Sequence, residues 1–271
     1  MSIGYQGEAH SYSHRAAGEL FPGVERTGYP SFPAAFDALT AGDVDRLVLP
    51  IENSTTGSIL PVLDRLVGND VHITGEHHVA VRHALLAHPG ATLTSIRTVH
   101  SHPEALTQAQ AVLARHGWTA QPEHDTAGAV RLVAERGDPA EACLAHVSAA
   151  EPHGLVVLAE DVVDRTDNTT RFVVLEPGPP RIAPDADKTS IAFETHHHPG
   201  ALALALTELG LRGANLTRIE SRPSEVAWSY RFFIDLLHPP GPDGFRTVFE
   251  PTLVNVPRFH HLGTYRSVAG A

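Results

Sequence analysis

Short apolar runs alternate with helically spaced apolar positions along the first two thirds of the chain. The run Arg46 to Glu52 (RLVLPIE) reads as a buried strand, and Ile59, Val62, Leu63 and Leu66 then recur at helical spacing. Ile96 to Val99 is a further apolar run, followed by a helical pattern from Pro103 to His116. Asp125 opens another helix that reaches Arg136, Glu141 to Ala145 is apolar again, and Arg171 to Leu175 reads as a closing strand. Strands that alternate with helices in this way predict an α/β domain with a largely parallel sheet.

The stretch Glu176 to Asp187 breaks that rhythm, with four prolines and one glycine in twelve residues. Such a segment neither continues a helix nor sits in a central strand, so it marks a domain boundary. It leaves about 180 residues before it and about 80 after it, both ordinary domain sizes. Beyond it, Lys188 to Thr195 is strand-like, and Pro199 opens a helix with Leu202, Leu206 and Leu209 on one face. Strands near Leu216 to Ser221 and Trp228 to Leu237 follow. This is the first part of a βαββαβ sandwich, an α+β unit whose second helix and last strand are expected after Asp243. Pro251 and Pro257 are set to interrupt any helix of normal length there.

Composition narrows the class. A hydrophobic fraction of 42% with 19% charged residues is enough to build real cores. The formal charge of -11 comes from 20 basic and 31 acidic residues, with no basic stripe, which argues against nucleic acid and acidic membrane surfaces as partners. An anionic substrate would have to be held locally, by helix N-termini, hydroxyls and one or two arginines. The single cysteine, Cys143, lies in an apolar run and reads as an inert buried thiol; it excludes a disulfide or thiolate metal cage within one chain. The segment Met1 to Gly7 has neither a basic stretch nor an apolar core, which predicts no signal peptide, and no apolar run approaches the ~18 residues of a membrane helix. A cytoplasmic protein is expected. The nineteen histidines include the neighbours His77-His78, His196-His197-His198 and His260-His261, whose side chains must diverge. No HExxH or other zinc spacing occurs, so no metal and no organic cofactor is expected.

Four expected strand-to-helix junctions carry hydroxyl or carboxylate residues: Ser11 to Ser13, Asn53 to Ser58, Ser101 to Glu104 with capping-box spacing, and Asp125-Thr126. Each alone reads as a helix cap. Together, beyond the carboxyl ends of the strands of an open sheet, they read as a site for a small organic acid. Asp167 to Phe172 adds polar groups at the mouth of the last strand, where Arg171 either grips a carboxylate or sits in a surface ion pair.

These segments carry a resemblance. Gly4 to Ala17 (GYQGEAHSYSHRAA), Pro50 to Ile59 (PIENSTTGSI), Ser101 to Leu106 (SHPEAL), Asp125 to Ala129 (DTAGA) and Asn168 to Phe172 (NTTRF) resemble, in order, the motifs of prephenate dehydratases. Pro199 to Leu202 (PGAL) and Ile219 to Pro223 (IESRP) resemble the phenylalanine-binding motifs of that family's ACT regulatory domain. The resemblance runs through nearly the whole chain. It implies a two-lobed catalytic domain like the periplasmic binding proteins over 1–178, with lobes near 1–76 plus 160–178 and 77–159, and an ACT domain over 188–271.

The implied reaction is loss of water and carbon dioxide from prephenate to give phenylpyruvate, in phenylalanine biosynthesis, without metal or cofactor. The family's catalytic threonine carries over to Thr170. Arg171 is expected to hold or neutralise a carboxylate, with Ser13, Asn53, Ser54 and Thr126 lining the pocket and Phe172 packing against the ring. Phenylalanine is expected between ACT domains of two subunits, touching Gly200, Ala201 and Leu202 of one and Glu220, Ser221, Arg222 and Pro223 of the other, in a homodimer or homotetramer. Arogenate dehydratase, prephenate decarboxylase and a non-catalytic amino-acid sensor remain as alternatives on the same scaffold. His10 stands where the family has glycine: it narrows the pocket, reshapes the loop, or itself donates a proton. His146 stands where the family often has serine.

Overall fold

The computed structural model describes residues 1–165, 167–226 and 228–268. In chain order, β1 (Ser2–Gln6), α1 (Tyr12–Leu20), β2 (Glu25–Tyr29), α2 (Phe32–Ala41), β3 (Arg46–Asn53), the short β4 (Gly57–Ser58), α3 (Leu60–Gly68) and β5 (Val71–Ala80) make most of a first lobe. The second lobe holds β6 (Ala84–Ala87), β7 (Thr98–Ser101), α4 (Pro103–Gln108), α5 (Gln110–His116), β8 (Thr119–Pro122), α6 (Thr126–Arg136), β9 (Glu141–Ala145) and β10 (Val156–Ala159). Then β11 (Thr169–Pro177) returns to the first lobe. The strand orders are β2-β1-β3-β11-β5 and β10-β6-β9-β7-β8. The two-lobed α/β domain followed by an α+β unit is the architecture expected from the sequence.

Three expectations need correction. The sheets are mixed, not largely parallel. β1 runs parallel to β2 and β3, but β11 is antiparallel to both β3 and β5. In the second sheet β7 is parallel to β8 and β9, while β6 and β10 pair antiparallel. A strand re-entering from the other lobe needs no crossover helix against its neighbours and can run against them, and apolar pattern carries no sign of direction. The chain leaves the first sheet after Ala80, beyond the expected crossing near 76, because Glu76 to Ala80 still pair with β11. The single helix expected over 103–116 is split at Ala109, whose φ of -117° is not helical.

The caps also differ. Ser11 caps α1 by accepting from the His14 N–H at 3.3 Å, and Asp125 caps α6 by accepting from the Gly128 N–H at 2.6 Å. Ser101 is not a cap: its hydroxyl is buried and donates to the Leu144 carbonyl at 2.7 Å. His102 takes that place, its Nδ1 accepting from the Glu104 N–H at 3.2 Å. Nor does Asn53 begin a helix; Oδ1 accepts from the Thr55 and Thr56 N–H groups at 2.9 and 3.1 Å, closing a turn before β4.

The C-terminal unit completes the βαββαβ order with β12 (Lys188–Glu194), α7 (Ala201–Leu211), β13 (Asn215–Pro223), β14 (Tyr230–Leu237), α8 (Gly241–Phe249) and β15 (Arg258–Tyr265), in the sheet order β13-β14-β12-β15. The two prolines bracket elements rather than break them: α8 ends two residues before Pro251, and Pro257 precedes β15. One face of this sheet packs Ile191, Phe193, Ile234 and Leu236 under Ala205 and Leu209 of α7 and Val248 of α8. The other face contributes Ala192, Phe233, Leu262 and Tyr265 to the same core as Leu47, Leu49, Ile73, Val173 and Leu175 of the first lobe. Among the described residues no helix is long and apolar enough to cross a membrane.

The closeness of that docking is set at Gly263, where a Cβ would lie 2.2 Å from the Ile73 carbonyl oxygen. Gly263→Ala is therefore expected to destabilise the protein by about 2–3 kcal/mol through overpacking. Gly210→Ala, inside α7 with nothing within 4 Å, is expected to stabilise by up to about 1 kcal/mol. Paired urea melts check both signs.

Candidate functional site

A cleft opens between the lobes where Asn53, at the end of β3, and Thr170, at the start of β11, face the starts of α1, α4 and α6. Its inner cavity, about 190 Å³, is lined by Tyr12, Asn53, Val81, His83, His102, Glu104, Ala105, Gln108, Asp125, Thr126, Asn168 and Thr170. It shares Glu104, Gln108 and Asn168 with an outer hollow of about 530 Å³ that adds Ser54, Thr55 and Thr56.

The polar groups are ordered by one another. Asn53 Nδ2 donates to Thr170 Oγ1 at 2.9 Å and to Asn168 Oδ1 at 2.7 Å. Because Asn53 occupies an acceptor position on the Thr170 oxygen, the Thr170 proton points elsewhere and is free for a ligand oxygen. Asn168 Nδ2 donates across the cleft to Gln108 Oε1 at 2.7 Å, and Gln108 Nε2 donates back to Thr55 Oγ1 at 3.4 Å. Gln108 Oε1 also accepts from His83 Nε2 at 3.2 Å, which assigns the His83 proton to that nitrogen. Tyr12 donates its hydroxyl to the Arg82 carbonyl and edges the His83 ring at 5.9 Å.

Burial lowers the pKa of His83 to about 4, with His146 assisting and the Gln108 bond resisting, so its imidazole is neutral near pH 7. Burial likewise pushes the Tyr12 phenol up, although the Arg82 carbonyl and Arg15 pull the other way. Burial also works to raise Asp125, but the Gly128 N–H and His124 hold it below the usual carboxylate range. Among the described lining residues no lysine or arginine appears. Arg165 lines the outer hollow, and the starts of α1, α4 and α6 add the partial positive charge of helix N-termini.

Of the residues expected from sequence, Asn53, Thr126 and Thr170 line this cavity, and Ser54 lines the outer hollow, its hydroxyl accepting from the Thr169 N–H at 3.0 Å. Ser13 is buried in α1 and is not among the described lining residues; its neighbour Tyr12 faces the cavity instead. Phe172 is 1% exposed and packs with Ile3, Val48 and Val79 beneath Thr170, not against the cavity. Arg171 points away, because consecutive residues of a strand face opposite sides. Its guanidinium meets Glu76, Asp235 and Tyr265 at 2.7, 2.6 and 2.8 Å behind the sheet. A carboxylate grip by Arg171 inside the cavity does not agree with that placement.

His10 adopts φ of 67°, the left-handed backbone that favours glycine. Its ring lies edge-on to His14 and His153, 5.7 and 5.8 Å away, and is not among the described lining residues. His146 packs on Tyr12 and lies 2.9 Å from Arg15 Nη1. Sequence reasoning missed Tyr12, His83 and Gln108. The first lies inside a motif that was read for its serines; the other two sit outside any cap and had no local signal.

In the C-terminal unit, Gly200, Ala201 and Leu202 line a separate hollow of about 480 Å³ with His196 to His198, Tyr230 and Phe232. Glu220 to Pro223 lie at the end of β13, and Arg222 pairs there with Asp64 of α3 at 2.8 Å. Among the described residues, no three His, Cys, Asp or Glu side chains converge as a metal site. Cys143 is buried, which pushes its thiol up to about 12.

Residues 3–179 match the family model described as prephenate dehydratase. "Arogenate dehydratase/prephenate dehydratase 2, chloroplastic" of Arabidopsis thaliana is 42% identical over 226 residues, 82% of this chain and 59% of that protein. The chain therefore spans about three fifths of that relative's length (59%). A "bifunctional N-acyl-homoserine lactone acylase/prephenate dehydratase" of Komagataeibacter europaeus is 34% identical over 92% of this chain and 90% of that one. The solved structure of prephenate dehydratase in complex with L-Phe from Arthrobacter aurescens superposes with a TM-score of 0.85 at 28% identity, covering 98% of this chain and 90% of that one.

The neutral, buried His83 gives a pH prediction. Its folded pKa is depressed, so below its unfolded value near 6.5 the unfolded chain binds the extra proton and stability falls with pH until about 4. Between pH 7 and pH 5 His83 should contribute a loss of about 2 kcal/mol. Chemical denaturation of wild type and His83→Asn at both pH values should show that part of the slope missing in the variant.

Proposed function

The chain belongs to the prephenate dehydratase family, and we propose that it catalyses the decarboxylative dehydration of prephenate to phenylpyruvate, or of arogenate to phenylalanine. The observation that carries this reading is the Thr170 hydroxyl, held by Asn53 so that its proton is left free within the interlobe cavity. Loss of carbon dioxide supplies the electron pair that forms the new ring double bond as the ring hydroxyl departs, so aromatisation drives the step. The enzyme has to orient the substrate and donate a hydrogen bond to the departing oxygen. A threonine hydroxyl is a very weak acid; Thr170 acts as an oriented donor, and a proton from solvent completes the water. Helix starts and Arg165 of the outer hollow supply positive potential for substrate carboxylates, against the charges of Glu104 and Asp125. The roles of Asn53, Ser54 and Thr126 as substrate contacts belong to this reading, with Tyr12, Gln108 and Asn168 added.

In the same reading residues 1–178 are the catalytic unit and 188–271 an ACT-type regulatory unit. The βαββαβ order and the hollow at Gly200 to Leu202 support it, as does the likeness to the Arthrobacter protein described with L-Phe. Phenylalanine is the proposed effector, bound there with Glu220 to Pro223 of a second subunit in a homodimer or homotetramer. Its binding would shift the cleft between two states.

A second activity is favoured by one observation. The Komagataeibacter relative, similar over nearly its whole length, is described as an N-acyl-homoserine lactone acylase as well.

The purified protein, offered prephenate and arogenate separately, is expected to yield phenylpyruvate from the first or phenylalanine from the second. Thr170→Ala is expected to lower kcat by about 10²–10⁴-fold. Turnover of one substrate alone decides between prephenate and arogenate; product from neither would leave the sensor reading, and acyl release from an acyl-homoserine lactone the acylase. His10→Gly should keep turnover within about threefold, since the ring packs on His14 and His153 and is not among the described residues lining the cavity. A loss approaching that of Thr170→Ala would restore the proton-donor role.

A further inference from the structure

Behind the cavity, on the opposite face of the same strands, lies a buried ionic cluster that the proposed chemistry does not use. Arg171 Nε donates to Glu76 Oε2 at 2.7 Å, Nη1 to Asp235 Oδ2 at 2.6 Å and Nη2 to the Tyr265 hydroxyl oxygen at 2.8 Å. Nη1 also reaches Glu52 at 3.3 Å. Lys188 Nζ donates to both Glu76 oxygens at 2.9 and 3.1 Å, and Ser190 donates to the second Asp235 oxygen at 2.5 Å. Arg218 lies 3.7 Å from both Glu52 and Asp235. Glu52, Glu76 and Arg171 belong to the first lobe, whereas Lys188, Arg218, Asp235 and Tyr265 belong to the C-terminal unit.

Three cations thus face three carboxylates. Within the cluster the charges balance, and a cavity of about 370 Å³ reaches Arg171, Lys188 and Arg218. The cluster's position says more. Glu52 and Arg171 are a cross-strand pair, and their chain neighbours Asn53 and Thr170 are the next pair. One pair holds the cluster on one face, and the other forms the Asn53–Thr170 hydrogen bond on the opposite face. The register between β3 and β11 shifts directly after Arg171, leaving Ile51 without an opposite partner. Bulges of this kind re-aim the neighbouring side chains and are where a ladder yields most easily.

We propose that Arg171 is a positioning residue through which the C-terminal unit sets the orientation of the Thr170 hydroxyl, resting on the dehydratase reading above. The Arg171 fork can satisfy Glu76, Asp235 and Tyr265 together in only one relative placement of β11 and the C-terminal sheet. If that sheet tilts, either a buried guanidinium loses partners or Arg171 follows and turns β11 at the bulge. The first is resisted by the cost of an unpaired buried charge, so the second is the easier response. Burial works against the Arg171 charge, but Tyr265, Asp235 and Glu76 outweigh it. The strands that anchor the cluster lead to the expected effector segments: β12 runs toward Gly200 to Leu202, and β13 carries Arg218 on toward Glu220 to Pro223. A regulatory ligand there has a rigid route to Thr170.

The test uses Tyr265→Phe, which takes one acceptor from Arg171 and the Ser190 contact with the same hydroxyl, together with Asp235→Asn and Arg171→Lys. Steady-state kinetics are measured on whichever substrate the wild type turns over, with and without L-phenylalanine, beside urea melts. All three substitutions lie outside the interlobe cavity. A displaced Thr170 predicts kcat lowered by about 10–100-fold with KM within about threefold, and a weakened change of activity on adding phenylalanine. Folded Tyr265→Phe with wild-type kcat and an unchanged phenylalanine response would overturn the proposal, even should Asp235→Asn fail to fold. A parallel rise in KM with kcat unchanged would also overturn it, because it would make Arg171 a substrate-binding cation. Wild type without turnover of either substrate would sink the dehydratase reading, and the proposal with it. An active wild type with indifferent variants sinks the proposal alone.

Discussion

The return of β11 into the middle of the first sheet is the constraint on which the other parts depend. It pairs antiparallel with β3 on one side and β5 on the other, so each of its side chains is committed to one of two faces. Thr170 meets the interlobe cavity, and Phe172 and Val174 continue beneath it into the core shared with α1. On the other face Arg171 meets the C-terminal sheet, and Val173 and Leu175 build the core that the two units share. The interlobe cleft and the C-terminal sheet are therefore front and back of one strand.

The distribution of charge follows from that geometry. An acidic chain keeps three of its cations in a buried, balanced cluster behind the sheet, where Arg171 and Arg218 overcome the effect of burial and hold Asp235 below its ordinary range. Around Thr170 the front face has amides, hydroxyls and a neutral imidazole, whose mutual hydrogen bonds determine who donates and who accepts, with the carboxylates of Glu104 and Asp125 at the helix starts opposite. Such a cavity is suited to orienting a hydroxyl leaving group and to presenting helix N-termini to carboxylates. It is poorly suited to chemistry that needs a strong acid, since Tyr12 is pushed up and His83 down, both by burial.

His10 shows how a departure from the family pattern is absorbed. The loop after β1 keeps the left-handed backbone that glycine adopts freely, and the histidine accepts it while its backbone N–H donates to His14 Nδ1 at 3.1 Å. Its ring settles among other histidines outside the cavity. Its packing there leaves Tyr12, two residues on, free to serve the cleft.

The linear pattern by itself determined many of the elements and their order, though β2, α2, β5, β6, β8 and β10 were not read from it. The apolar run of β3, the Asp125 cap of α6, the proline-rich break before β12 and the βαββαβ order beyond it are local matters of spacing, capping and backbone freedom. Thr170 and Asn53 were legible as site residues through motif resemblance, because motifs record which residues the chemistry needs. Only the tertiary structure decided which way β11 runs, that Gln108 from the second lobe meets Asn168 from the first, and that Arg171 turns its back on the cavity. Those are contacts between residues 60 to 119 positions apart, and a strand's pattern of alternation says that neighbours face opposite ways without saying what waits on either side.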